Sequence, residues 1–283
     1  MSDRIDTLGH SIIQHGKFND RIYLMKLVAS DLPELLEQLD RLADKHHYGK
    51  IFAKVPASAQ PQFAARGYLA EAKIPRFFRR QEDVIFFSKY LTKERREEKK
   101  ADLADKVLQA AGQKKGCFVP PSPLPDLFHS RIAESQDSAA MAEVYRQVFA
   151  TYPFPIHDPA YLQRTMDQNV VYFGIWHGEQ LVALASAEMD LAGQNAEMTD
   201  FATLPEYRGK RLANYLLAGM ENYLASSGIT TAYTIARAYS YGMNITFARQ
   251  GYCFSGCLVN NTNIFGGLES MNVWHKPVQG LGT

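Results

Sequence analysis

One stretch limits what this chain can fold into more than any other: Asp200-Phe-Ala-Thr-Leu-Pro-Glu-Tyr-Arg-Gly-Lys-Arg-Leu-Ala-Asn214. Its first residues suit a strand. Arg208-Gly-Lys-Arg-Leu-Ala213 then opens a helix in which Leu212, Leu216, Met220 and Leu224 share one face. A helix start exposes amides that have no intrahelical acceptor, backed by roughly half a positive charge from the macrodipole. Such a junction holds a diphosphate with few side chains. The stretch therefore predicts an α/β fold in which a strand delivers the chain to an anion-binding crossover.

The flanking segments fill in that fold. Val170–Trp176 and Leu181–Met189 alternate apolar with small or polar residues around His177-Gly-Glu-Gln180, which reads as a hairpin. Glu197–Thr203 is the strand before the crossover. Ser226-Ser-Gly228 closes the crossover helix, and Thr230–Ile235 is a β-branched strand. A short helix capped at Ser240 and ending before Gly251 leads to strands at Tyr252–Val259 and Glu269–Trp274. With helices at Ala139–Phe149 and Pro159–Gln168, the order suits a mixed sheet with helices on its faces.

Before this region, strands are expected at residues 20–28, Lys50–Val55 and Val84–Ser88, and a helix capped by Asp31 running to His46. The mixed charges of residues 92–111 suit an exposed helix with ion pairs four apart. Pro120-Pro-Ser-Pro-Leu-Pro125 reads as a stiff connector and sets the boundary: 1–125 an N-terminal α/β extension, 126–283 a second domain. Phe63-Ala-Ala-Arg-Gly-Tyr68 echoes Phe247-Ala-Arg-Gln-Gly-Tyr252. Either the extension is a truncated relative of the second domain, or two helices end in glycine by coincidence. The extension lacks the Arg-Gly-x-x-x-Ala turn, so it is expected to bind no cofactor.

Composition narrows the classes. The chain has 283 residues, a net charge of +1 and 22% charged residues, so neither nucleic acid nor an anionic membrane is an expected partner. No apolar run reaches membrane-span length, the N-terminus lacks a secretion signal, and the cysteines number 3; a cytoplasmic setting is expected. Cys253 and Cys257 have no second ligand pair nearby, so no metal site is expected.

The element order with Arg208-Gly-Lys-Arg-Leu-Ala213 resembles the GNAT N-acetyltransferase superfamily, whose cofactor motif is Gln/Arg-x-x-Gly-x-Gly/Ala. Arg211 stands where that family has Gly. The resemblance is closer still to its β-lysine N-acetyltransferases. It extends over the N-terminal part, Tyr152-Pro-Phe-Pro-Ile-His157, Met198-Thr-Asp-Phe-Ala-Thr203 and Glu269-Ser-Met-Asn-Val-Trp-His-Lys276. It implies a GNAT fold, acetyl-CoA as co-substrate, and acetylation of the ε-amino group of β-lysine to give a compatible solute.

The resemblance also assigns residues. Phe201, Ala202 and Thr203 would bind the pantetheine arm as an added strand does. Arg208, Gly209, Lys210, Arg211, Leu212, Ala213 and Asn214 would form the diphosphate turn. Asn244 and Phe247 would flank the arm. Phe247 occupies a position where the family often has a tyrosine acid, leaving that role to Tyr239, Tyr241 or solvent. Glu197 falls where several family members carry a catalytic base, with Asp200 the next choice. In a regular strand, residues three apart point to opposite faces, so only one of the pair would reach the pocket. Arg237 is a candidate for a substrate carboxylate; Asp158, Asp190, Glu188 and Glu269 are candidates for its distal cation. Tyr152 sits in a loop that would overhang the acceptor. Alternatives are another small amine as acceptor, a tandem-GNAT aminoacyl transferase, or a non-catalytic acyl-CoA-binding module.

Overall fold

The computed structural model describes residues 3–117 and 123–278. Residues 118–122, which include the first part of the proline-rich connector, lie outside that range. The N-terminal half runs β1 (Arg4–Leu8), β2 (Ser11–Gly16), β3 (Arg21–Lys26), α1 (Glu34–His46), β4 (Lys50–Pro56), α2 (Gln60–Ala65), β5 (Leu69–Phe78) and β6 (Glu82–Tyr90), then α3 (Lys93–Arg96) and α4 (Ala101–Gly112). The C-terminal half runs β7 (Phe128–Ile132), α5 (Ser138–Val148), α6 (Pro159–Met166), β8 (Val170–His177), β9 (Gln180–Asp190), β10 (Asn195–Thr203), α7 (Leu212–Ser226), β11 (Thr231–Arg237), α8 (Tyr241–Arg249), β12 (Cys253–Ile264) and β13 (Gly267–Pro277).

All strands join one 13-stranded sheet in the order β1-β2-β3-β4-β6-β5-β12-β13-β11-β10-β9-β8-β7. Only β3–β4 and β10–β11 are parallel pairs. Each parallel pair flanks a helical crossover, α1 in the first half and α7 in the second. From β1 to β6 the first half therefore follows the strand order and direction that the second follows from β8 to β13. The halves meet where β5 and β12 pair at Gly256 and Ala72. Gly256 has φ +146°, and a Cβ there would lie 2.1 Å from the Glu71 carbonyl oxygen. Only glycine fits at that approach.

Three apolar clusters match this plan. One sits under α1 and α2, built on Leu35, Leu36, Leu39, Ile51 and Phe63. A second packs α5 and α7 on β8–β10 through Met141, Tyr145, Leu216, Leu217 and Met220. The third spans both halves: Tyr23, Phe52, Phe77 and Phe86 from the first meet Tyr233, Leu258 and Val273 from the second. Aromatic rings from both halves pack against one another there, Phe77 against Tyr233 at 5.1 Å among them.

The structure corrects several expectations. Asp31 does not cap α1; its carboxylate accepts from the His10 amide and the Ser11 hydroxyl at 2.9 and 2.6 Å, and Pro33 precedes the helix. The charged run is not one solvated helix. Thr92 caps the short α3, and the chain breaks before α4. Arg95 is buried, donating to the carbonyls of Asn19 and Asn260, while Glu98 accepts from Tyr239 and Ser270. Those charges tie the two halves together. Strands β1, β2, β5 and β7 and helix α2 add to the predicted set.

Candidate active site

Strand β10 controls the site. Glu197 lies across from Glu188 on β9 and Tyr233 on β11. The register with β9 then slips between Thr199 and Ala202, and Asp200 adopts φ +57°. This is a β-bulge, with the left-handed residue an aspartate, one of the few side chains that tolerate it. The expectation that Glu197 and Asp200 face opposite ways fails for this reason. The strand is irregular between them, and both line one cavity.

That cavity has a volume of about 820 Å³ and walls from both halves. The first half brings Arg21, Tyr23, Phe52, Lys54 and Phe77; the second brings Tyr152, Glu188, Glu197, Asp200, Phe201, Arg237 and Phe247. Burial, with the Glu188 charge next to it, pushes the Glu197 carboxyl up to about 7, partly offset by Lys54. Burial also raises Glu188. Lys54 Nζ donates to the Tyr233 hydroxyl at 2.9 Å, and Tyr233 stands beside Glu197 across the β10–β11 pairing. A lysine of the first half thus ends a chain leading to a carboxylate of the second.

Asp200 is bound on several sides. It accepts from Ser186 Oγ at 2.6 Å, from Thr199 Oγ1 at 3.2 Å, and from the Tyr152 hydroxyl. Burial raises its carboxyl despite these bonds. The Tyr152 hydroxyl is therefore committed to Asp200, while its ring closes the cavity. Its loop is stapled down: the Gly266 amide donates to Thr151 Oγ1 at 2.8 Å.

Arg237 and Glu269, read separately as carboxylate and cation partners, form a bidentate pair at 2.8 Å. Arg237 lines the cavity, and Glu269 stands behind it as the partner of that guanidinium. Asp158 caps α6, accepting from the Ala160 amide at 3.0 Å. Asn244 is buried, donates to the carbonyls of Arg237 and Ser240, and accepts from Asn272 and Trp274. Its side chain is fully occupied by protein. Phe247 is buried and packs edge-on against Phe201 at 5.6 Å. Neither Tyr239 nor Tyr241 lines the cavity; Tyr239 donates to Glu98 at 2.6 Å, and Tyr241 is exposed.

The crossover comes directly after this strand. Gly209 has φ +81° and Arg211 φ +60°. No described residue accepts a hydrogen bond from the amides of Gly209 to Ala213. Arg208, Lys210 and Arg211 stand around them, all three exposed. Free amides at a helix start with three cations beside them fit a diphosphate. Arg211 holds a left-handed conformation in which glycine is at ease, so the departure from the motif carries backbone strain.

Residues 139–252 match the acetyltransferase (GNAT) family model. The chain is 41% identical to a beta-lysine N(6)-acetyltransferase of Methanococcus maripaludis, covering 97% of this chain and 98% of the relative. The chain belongs to the GNAT acetyltransferase family. It is 33% identical to a second beta-lysine N(6)-acetyltransferase, from Methanosarcina mazei, over 85% of this chain and 96% of that one. The solved ribosomal-protein-S18-alanine N-acetyltransferase of Escherichia coli is similar at 17% identity with a TM-score of 0.48, over 55% of this chain and 96% of its own.

This GNAT enzyme is an N-acetyltransferase whose co-substrate is acetyl-CoA. Among the described residues, no group of His, Cys, Asp and Glu is placed to hold a metal ion, and no helix is long and apolar enough to cross a membrane. Tyr233, Lys54 and Arg21 carry no sequence signal as site residues. Their roles depend on the pairing of two halves that are distant in sequence.

Proposed function

We propose that this enzyme transfers the acetyl group of acetyl-CoA to the ε-amino group of β-lysine, with Glu197 as general base. The acceptor follows from the relatives named for that activity. The observation that carries the chemistry is a carboxyl held near 7 on the wall of a cavity lined with both charge signs. An ε-ammonium has a pKa of about 10.4 and is not nucleophilic until deprotonated. Glu197 takes that proton through a water. The free amine attacks the thioester carbon, an amide of the Phe201–Thr203 segment polarises the carbonyl oxygen, and the nitrogen then gives its second proton to solvent. The C–S bond breaks, the CoA thiolate leaves, and solvent protonates it.

In this reading the amides from Gly209 to Ala213, with Arg208, Lys210, Arg211 and Asn214, bind the diphosphate, and Phe247 packs along the pantetheine arm. Asn244 acts indirectly, fixing Arg237, Ser240 and Trp274. Residues 126–283 form the catalytic domain. Residues 1–125 form a GNAT-like extension that encloses the acceptor and binds no cofactor. The product keeps one ammonium and one carboxylate, a net-neutral form suited to a compatible solute in the cytoplasm.

The test is mass spectrometry of reactions containing acetyl-CoA and either β-lysine or α-lysine. A single acetyl addition to the β-lysine side-chain nitrogen, with α-lysine slower, is expected. Turnover of other amines but not β-lysine would remove the acceptor assignment. Binding of acetyl-CoA without turnover of any amine would make the protein a binding module.

A further inference from the structure

Arg21 of β3 takes no part in the proposed reaction, yet it faces the place where that reaction occurs. It is buried to 4% exposure and lines the cavity. Nη1 donates to the Asn261 carbonyl and to Thr262 Oγ1, the latter at 3.1 Å. Nε is buried and has no hydrogen-bond partner, and Nη2 donates to no described residue. No described carboxylate lies within ion-pair distance of it, although other arginines of the chain have such partners. The guanidinium sits over the rings of Tyr23 and Phe52 at 5.4 and 5.6 Å, which hold its plane but cannot neutralise it. A buried, unpaired charge is costly, and proteins seldom keep one without a counterion.

A second buried group beside it is also unpaired. Asn261 Oδ1 has no partner, and Asn261 lines the same cavity. Arg21 offers an Nε–Nη2 edge with the spacing of a carboxylate. Asn261 offers a hydrogen-bond acceptor. Glu188 and Glu197, which suit an amine, stand on the wall of the same cavity.

We propose that Arg21 is the binding residue for the acceptor's carboxylate, with Asn261 Oδ1 receiving the ammonium next to that carboxylate. The inference rests on the acceptor reading above and adds what selects it: an amino acid with a carboxylate at one end and a nucleophilic amine at the other. The N-terminal half, lacking a diphosphate crossover, supplies the group that anchors the acceptor. Arg21 and Glu197 line the same cavity, so one small molecule can reach both.

Three probes test this on the full chain: β-lysine, 1,4-diaminopentane (the same chain without its carboxylate) and the β-lysine amide. The wild-type enzyme is expected to show a KM for the amide raised roughly 10–100-fold over β-lysine, the range of a lost charged hydrogen bond. In Arg21→Met, the selectivity for β-lysine over 1,4-diaminopentane should collapse by a similar factor, through KM rather than kcat. Arg21→Lys should recover part of it. Acetyl-CoA affinity by calorimetry reports whether each variant is folded. If the wild-type enzyme acetylates β-lysine and its amide with equal KM, the inference is overturned even when Arg21→Met fails to fold. Unaltered selectivity in a folded Arg21→Met variant also overturns it, while the acceptor reading stands. If wild-type enzyme ignores β-lysine and prefers the diamine, the acceptor reading itself has failed.

Discussion

The two halves of this molecule share a strand order but differ in the short segment between the third strand and its helix. In both, that strand runs parallel to the next, and in both a register slip interrupts its pairing with the preceding strand. The two crossovers then diverge. After β10 the chain reaches Arg208–Arg211 and a run of unpaired amides. After β3 it reaches Asp31, held by Ser11, and Pro33, which has no amide to give. A carboxylate and a proline at a helix start disfavour a phosphate, whereas cations and free amides favour one. The comparison teaches that the strand frame is permissive. On the proposal made here, anion binding resides in the residues of one crossover, and the other half is free to shape the acceptor cavity.

Four substitutions probe the difference between the halves. Glu197→Gln should have the largest effect, lowering kcat about 100-fold or more at neutral pH. As the proposed base Glu197 would work only when ionised, and burial holds its carboxyl near 7. The wild-type kcat should therefore rise as pH increases through about 7, and the variant should lose that limb. A variant with unchanged rates across pH would exclude Glu197 as base. Gly256→Val attacks the joint between halves. Its Cβ cannot coexist with the Glu71 carbonyl 2.1 Å away, so denaturant unfolding should show a loss of roughly 3 kcal/mol or more. A neutral result would mean the two halves do not need close contact there.

Gly209→Val comes next. A Cβ at Gly209 meets no described atom, so the cost comes from φ +81°, which a β-branched residue strongly resists. Acetyl-CoA affinity should fall roughly 10-fold. Arg211→Gly should have the smallest effect. Relieving a left-handed arginine should raise stability by about 1 kcal/mol, read as a higher midpoint in urea. If stability falls instead, Arg211 makes a contact worth more than its strain.

Much of the second half is legible in the sequence because its signals are local. The crossover motif, the leucines of α7 and the alternation of β8 and β9 each fit within a few residues. The first half is harder to read. β1 is exposed and polar, with the sequence Arg-Ile-Asp-Thr-Leu, and β5 carries Pro75 in its interior, so neither shows a clean apolar period. The run at 92–111 reads as solvated because its charges face partners in the other half, such as Asn260 and Tyr239. The bulge at Asp200 leaves no mark in Met-Thr-Asp-Phe-Ala-Thr, and so the sequence hides the shared cavity of Glu197 and Asp200. Arg21 reads as an ordinary strand residue. Its burial arises from contacts with Asn261 and Thr262, far along the chain.

If only one of the two like-ordered halves grips the acyl carrier, one carrier molecule binds per chain. Isothermal titration of the full chain with acetyl-CoA should give one molecule bound per chain, with affinity weakened by Gly209→Val. Two molecules per chain, or one whose affinity is indifferent to Gly209→Val, would show that the crossover at Gly209 is not the one carrier site.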